Sequence, residues 1–132
     1  LFMGGNGIGG GMVINGRLWT GASGYCSEVG FLPVYERLNK GSLGLPPAEH
    51  ISELYARLIQ IYAVTVNPHM MVLYRHPLLE GKADEIRRLC VSYLPSKAIP
   101  SIELSYDYQQ DYEKGLFAVA KSLEQAASEG GS

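Results

Sequence analysis

Between Gly4 and Gly11 the chain carries six glycines in eight residues, Gly4-Gly5-Asn6-Gly7-Ile8-Gly9-Gly10-Gly11. A backbone with so little side-chain cover can bring successive N–H groups close to an anion and arrange them around it as a nest. The stretch reads as a phosphate-type loop, with Gly5, Asn6, Gly7, Gly9 and Gly10 as candidate phosphate or nucleotide contacts. An acidic turn around Glu28 follows it.

Gly5, Gly7 and Gly10 satisfy the G-x-G-x-x-G spacing of dinucleotide sites, but that motif needs a helix opening directly after the glycines. Here Met12-Val13-Ile14 and Arg17-Leu18-Trp19-Thr20 flank Asn15-Gly16, two strand-like runs joined by the strongest two-residue hairpin signal. A glycine loop feeding a hairpin points away from a Rossmann site and towards the phosphate loops of sugar-kinase and actin-like folds. The pattern G-x-x-x-x-G-K-[ST] does not occur.

With 132 residues, 46% hydrophobic and 18% charged, the chain can bury one core, and a single domain is expected over 1–127 with a frayed tail at 128–132. A net charge of -2 gives no electrostatic footprint for nucleic acid. No apolar run reaches membrane-span length and no leader pattern is present, so no membrane partner is expected. Cys26 and Cys90 are far apart and form no C-x-x-C pair, which suits a cytoplasmic protein. His50, His69 and His76 lack ligand spacing and are assigned to no metal. The chain lacks an initiator Met and starts just before the glycine loop, which suggests the second half of a two-lobed protein.

Thr20 to Gly30 is a loop of small residues holding one carboxylate, Glu28, either surface decoration or a positioned hydrogen-bond acceptor. Phe31-Leu32-Pro33-Val34 reads as a short strand. After the breaker cluster Leu43 to Pro47, the apolar residues from Ile51 to Tyr62 keep helical spacing, and Asn67-Pro68 is the stop. Met70 to Tyr74 reads as a strand buried on both faces. Arg75-His76 could bind an anion, although an exposed strand-end loop is the plainer expectation. Lys82 to Tyr93 is a second amphipathic helix with Cys90 as a core hydrophobe, and Ile99 to Ser105 is a strand with Pro100 near its start. Tyr106 to Tyr112 is acidic and tyrosine-rich, and a last helix is expected from Asp111 to about Ala127. Alternating strands and helices in the second half call for parallel strands, and the leading hairpin adds antiparallel ones. The expected fold class is therefore α/β, a mixed sheet flanked by helices, on the half-molecule plan of the actin-like, ribonuclease H-like fold.

The run from Gly5 to Leu18, followed by Gly21-Ala22-Ser23-Gly24-Tyr25-Cys26-Ser27-Glu28-Val29-Gly30, resembles the ROK family of sugar kinases and sugar-responsive repressors, whose usual form is roughly GTGIGGGIIINGKLYRGANGAAGEIGH. Asn67-Pro68 before a strand and Gly115 extend the likeness more loosely into the rest of the chain. The resemblance implies the C-terminal lobe of an actin-like sugar-kinase fold, with Glu28 accepting hydrogen bonds from sugar hydroxyls. Carboxylates suit that task, since two oxygens can grip vicinal hydroxyls. The sequence departs from the pattern after Gly30, where the usual histidine is Phe31, and over Tyr35 to Pro47, which lacks the cysteines of the family's zinc loop. A tetrahedral site needs Cys or His ligands, so zinc is not expected. Arg75-His76 also replaces a glycine pair that closes over nucleotide in the family.

Three functions follow from the resemblance. The preferred one is a sugar-recognition lobe sensing a small-molecule sugar in a transcriptional regulator whose DNA-binding part lies in an absent N-terminal domain. The alternative is the C-terminal half of an ATP-dependent kinase acting on hexoses or N-acetylhexosamines. ATP and Mg would be its cofactors, no catalytic residue lies in this chain, and the base belongs to an Asn-Asp motif upstream. The third is a degenerate lobe kept for dimerisation, since self-association is common in the family.

Overall fold

The computed structural model describes residues 1–4, 7–39 and 46–105. Within these residues, short ladders and three α-helices make up a mixed α/β structure. The strands are β1 (Phe2–Gly4), β2 (Gly7–Gly9), β3 (Met12–Ile14), β4 (Arg17–Trp19), β5 (Met70–Tyr74) and β6 (Ser101–Ser105). The helices are α1 (Pro33–Leu38), α2 (Ile51–Thr65) and α3 (Ala83–Tyr93). The expected last helix, Asp111 to Ala127, lies outside the described residues, as do the Tyr106 to Tyr112 cluster and Gly115.

In place of one continuous mixed sheet, the described residues form three two-stranded ladders: β1 with β2 and β3 with β4, both antiparallel, and β5 with β6, parallel. Hydrogen bonds connect two of them. Leu1 N donates to Val72 O at 2.7 Å, and Tyr74 N donates to Leu1 O at 3.0 Å. Bonds from one residue to both neighbours of Leu73 are the parallel pattern. Leu1, which leads into β1, thereby sits beside β5, while only Gly10 and Gly11 separate β2 from β3. β5 thus has the Leu1 lead-in of β1 on one side and β6 on the other.

The β3–β4 hairpin forms because Asn15 (φ 51°) and Gly16 (φ 76°) both adopt the left-handed conformation that a two-residue turn of this twist demands. A side chain at Gly16 would meet no neighbour, so the penalty there is purely conformational. Gly16→Ala is expected to destabilise by about 1–2 kcal/mol, measured as a lower midpoint in urea with an unchanged slope.

Helix α2 is the centre of the core. Ile51, Leu54, Tyr55, Leu58 and Ile59 are fully buried, and Ile86 and Cys90 of α3 join the same cluster with Leu73 of β5. Cys90 is a packed core residue, as its helical position implies. Ser52 Oγ donates to Glu85 Oε2 at 2.9 Å, and the Arg57 guanidinium lies 3.5 Å from the centroid of the Tyr93 ring, so two polar contacts fasten α2 to α3. The end of α2 follows from Asn67, whose left-handed φ of 47° lets its N–H return to Tyr62 O at 3.1 Å before Pro68 blocks further turns.

Two elements differ from the sequence expectation. Phe31-Leu32-Pro33-Val34 is no strand: a single 3-10 turn (Val29–Phe31) runs into α1, with Pro33 in its first turn. Proline loses nothing there, because its missing N–H would have had no helical partner. In β5, only Met71 and Leu73 are buried, while Met70 is largely exposed. The strand buries one face and not both.

Candidate functional site

The glycine stretch is built into the β1–β2 ladder over part of its length. Gly7 pairs with Gly4, Ile8 with Met3 and Gly9 with Phe2. Ile8 N donates to the buried Tyr35 hydroxyl at 3.0 Å, which marks the Ile8–Met3 pair as the one whose amides point out of the ladder. In that alternation the Gly7 and Gly9 amides face β1. The backbone over 7–9 is thus paired with β1, with Gly7 (φ 118°) in a conformation closed to other residues. Gly5 and Asn6 lie outside the described residues.

Gly10 has the tightest surroundings. A Cβ there would lie 2.8 Å from Tyr62 Oη and 2.9 Å from Ser27 O, whereas Gly9 and Gly11 have open space at the same position. The end of the glycine segment thus packs directly on the turn that carries Glu28. That turn is held by backbone hydrogen bonds: Cys26 N to Thr20 O at 3.1 Å, Glu28 N to Tyr25 O at 3.1 Å, Val29 N to Ser27 O at 2.9 Å and Phe31 N to Glu28 O at 3.2 Å. Ser27 adopts a left-handed φ of 71°, and Val29 anchors the turn in the core at 2% exposure.

Beside the turn is a cavity of about 240 Å³. Tyr25, Ser27 and Glu28 form one wall, Ile61, Tyr62 and Val66 from the end of α2 form another, and Met12 of β3 closes a side. Burial pushes the Tyr62 phenol above its ordinary value of 10.0, and its hydroxyl oxygen is buried without a hydrogen-bond partner among the described residues. The phenol stays neutral. Glu28 is exposed at the rim. The cavity therefore offers a solvent-facing carboxylate, an aromatic wall and apolar flooring, and its volume suits a ligand smaller than the drug-sized ones that fill about 300–1,000 Å³.

No family model, curated protein or solved structure matches this chain.

Its chemistry rests on these residues alone. Among the described residues no three His, Cys, Asp or Glu side chains gather closely enough to hold a metal ion, and no helix is long and apolar enough to cross a membrane.

A second cavity of about 200 Å³ opens where β5 and β6 end, between Arg75, His76, Glu80 and Asp84. Arg75 is exposed, and its backbone N–H donates to Ser105 O at 2.9 Å. His76 Nδ1 accepts the Leu78 N–H at 3.1 Å, so the imidazole caps the 3-10 turn Pro77–Leu79. The histidine has a structural task, and the acidic Glu80 and Asp84 offset Arg75 as an anion site.

Sequence reasoning places Glu28 and the glycines together but passes over Tyr25, Ser27 and Tyr62. Tyr62 reads as one more apolar position of α2, and nothing in the pattern separates it from Leu58 or Ile59. Tyr25 has a signal of its own, a large aromatic in a run of small residues.

Proposed function

We propose that this chain is the C-terminal sugar-recognition lobe of a ROK-family protein, acting as the ligand-sensing part of a transcriptional regulator. The observation that carries the reading is the packing of Gly10 against the Ser27–Glu28 turn, beside a cavity whose rim holds the Glu28 carboxylate. Met12, just after the glycine stretch, and the Glu28 turn both line this small, mainly apolar cleft. The pairings support it as well: two antiparallel ladders, one of them joined through Leu1 to the parallel β5–β6 ladder, are compatible with the mixed sheet of an actin-like, ribonuclease H-like half-molecule. The near-continuous likeness from Gly5 to Gly30 adds the family.

Glu28 accepts charge-assisted hydrogen bonds from vicinal hydroxyls of the sugar. A ligand held at this lobe and a facing lobe favours their closed arrangement in proportion to its differential affinity, typically about 1–3 kcal/mol of coupling. Any DNA contact belongs to another domain, since this chain carries a net charge of -2. Isothermal calorimetry of the full-length protein against hexoses and N-acetylhexosamines tests the reading. Binding of at least one is expected, and silence across the panel overturns it.

The kinase reading is supported less well: a cavity does open at the carboxyl ends of the parallel strands, but Glu80 and Asp84 line it beside Arg75, a poor setting for nucleotide phosphates. ADP release from ATP and Mg with any of these sugars would decide for it.

A further inference from the structure

Tyr25 and Phe31 are 67% and 78% exposed, on the two flanks of Glu28. Large aromatics at a rigid turn usually bury themselves, because each carries substantial apolar surface. Here their ring centroids lie 5.9 Å apart at an interplanar angle of 60°, a tilted pair within the favourable range for aromatic contact. The pairing holds Tyr25 in place without covering it. Tyr25 lines the 240 Å³ cavity together with Glu28, and the Phe31 ring contacts Tyr25 without lining the cavity. The family's usual form has alanine and histidine at these two positions, so the pair belongs to this chain.

We propose that Tyr25, braced by Phe31, is the stacking wall of the sugar site and selects pyranoses that present an unbroken C–H face. The inference rests on the sugar-binding reading above and adds the class of sugar. An aromatic plane beside a carboxylate satisfies both sides of such a ring at once: axial C–H groups lie on the aromatic face while equatorial hydroxyls at the ring edge donate to Glu28. A gluco-configured ring, with its hydroxyls equatorial, fits this arrangement. A ring with an axial hydroxyl projecting towards Tyr25 meets an apolar surface that cannot accept its hydrogen bond, and leaving that hydroxyl unpaired weakens binding.

Calorimetric titration of the full-length protein with D-glucose, N-acetylglucosamine and D-altrose, with circular dichroism to confirm folding, tests the proposal. Wild type is expected to bind the two gluco-configured sugars at least tenfold more tightly than altrose, whose axial hydroxyls break both faces of the ring. Tyr25→Ala and Phe31→Ala are expected to weaken gluco binding about tenfold and severalfold, in line with the energy of an aromatic contact. Tyr25→Phe keeps the plane and binds as wild type, whereas Glu28→Gln weakens all three sugars alike. Wild-type binding that Tyr25→Ala leaves unchanged, or loss of binding in Tyr25→Phe equal to that in Tyr25→Ala, overturns the stacking wall while the sugar-binding reading stands. Wild type silent to every sugar removes both.

Discussion

Gly10→Val is expected to destabilise the protein by about 1–3 kcal/mol, the range for forcing extra atoms into a packed site. The first added atom already falls 2.9 Å from Ser27 O and 2.8 Å from Tyr62 Oη. The Ser27 carbonyl does not retreat freely. Ser27 O accepts the Val29 N–H at 2.9 Å in a turn already carrying a non-glycine residue at φ 71°, and Val29 is buried. The Tyr62 side chain can swing, so Tyr62→Phe in the Gly10→Val background is expected to return a minority of the loss and leave the backbone clash. Gly9→Ala and Gly11→Ala have open space and are expected to change stability by less than about 1 kcal/mol, with a gain where the backbone accepts alanine. Urea denaturation of the four variants measures the contrast. Equal losses at all three glycine positions would mean that glycine is needed for its backbone freedom along the whole stretch and that Gly10 has no special neighbour.

The contrast among these glycines shows where sequence reading stops. Six glycines mark a backbone that must come close to something, but only the folded chain tells whether the partner is an anion, a neighbouring strand or a turn. Over Gly7–Gly9 the partner is β1, and at Gly10 it is the Ser27 carbonyl. Local signals were legible where one residue dictates geometry. Asn15-Gly16 defines its hairpin and Asn67-Pro68 ends α2, because each places a tolerant residue at a left-handed position. Helical spacing from Ile51 to Tyr62 and from Ile86 to Tyr93 locates α2 and α3, since a face that recurs every three or four residues has few alternatives. The misreading at Phe31 to Val34 has a different origin. Four apolar residues are too few to separate period two from period 3.6, and the deciding cues were Pro33 at a helix start and the Tyr35 to Leu38 spacing beyond it. In β5 an unbroken apolar run concealed an alternation in burial that depends on what covers the second face. As for the site, Glu28 was legible as a carboxylate out of place among small residues, whereas Tyr62 reaches it from α2 and only the three-dimensional path brings it there.

Tyr55 lies at the middle of α2 with no exposed surface, and Tyr55→Ala is expected to cost about 3–5 kcal/mol, the range for emptying a large aromatic site. That loss comes from the ring and not from its hydroxyl. The hydroxyl oxygen is buried and has no hydrogen-bond partner among the described residues. A buried polar atom left unpaired loses its hydration without recompense, so Tyr55→Phe is expected to be neutral or stabilising by up to about 1 kcal/mol. Titration supplies a second readout. Burial first, and then the nearby Tyr35, raise the Tyr55 phenol well above its ordinary value of 10.0. Because the unfolded chain releases this proton at lower pH than the folded one, its contribution is complete below pH 10 and is lost as pH rises above it. Wild-type stability should therefore decline on the alkaline side, and Tyr55→Phe should decline less steeply, with Tyr62 supplying part of the remaining slope through its own raised phenol. Thermal midpoints between pH 8 and 11 measure both effects. A Tyr55→Phe variant less stable than wild type by more than about 1 kcal/mol would show that the hydroxyl has a hydrogen-bond partner beyond the described residues, and an unchanged alkaline slope would show that Tyr55 ionises as freely in the folded chain as in the unfolded one.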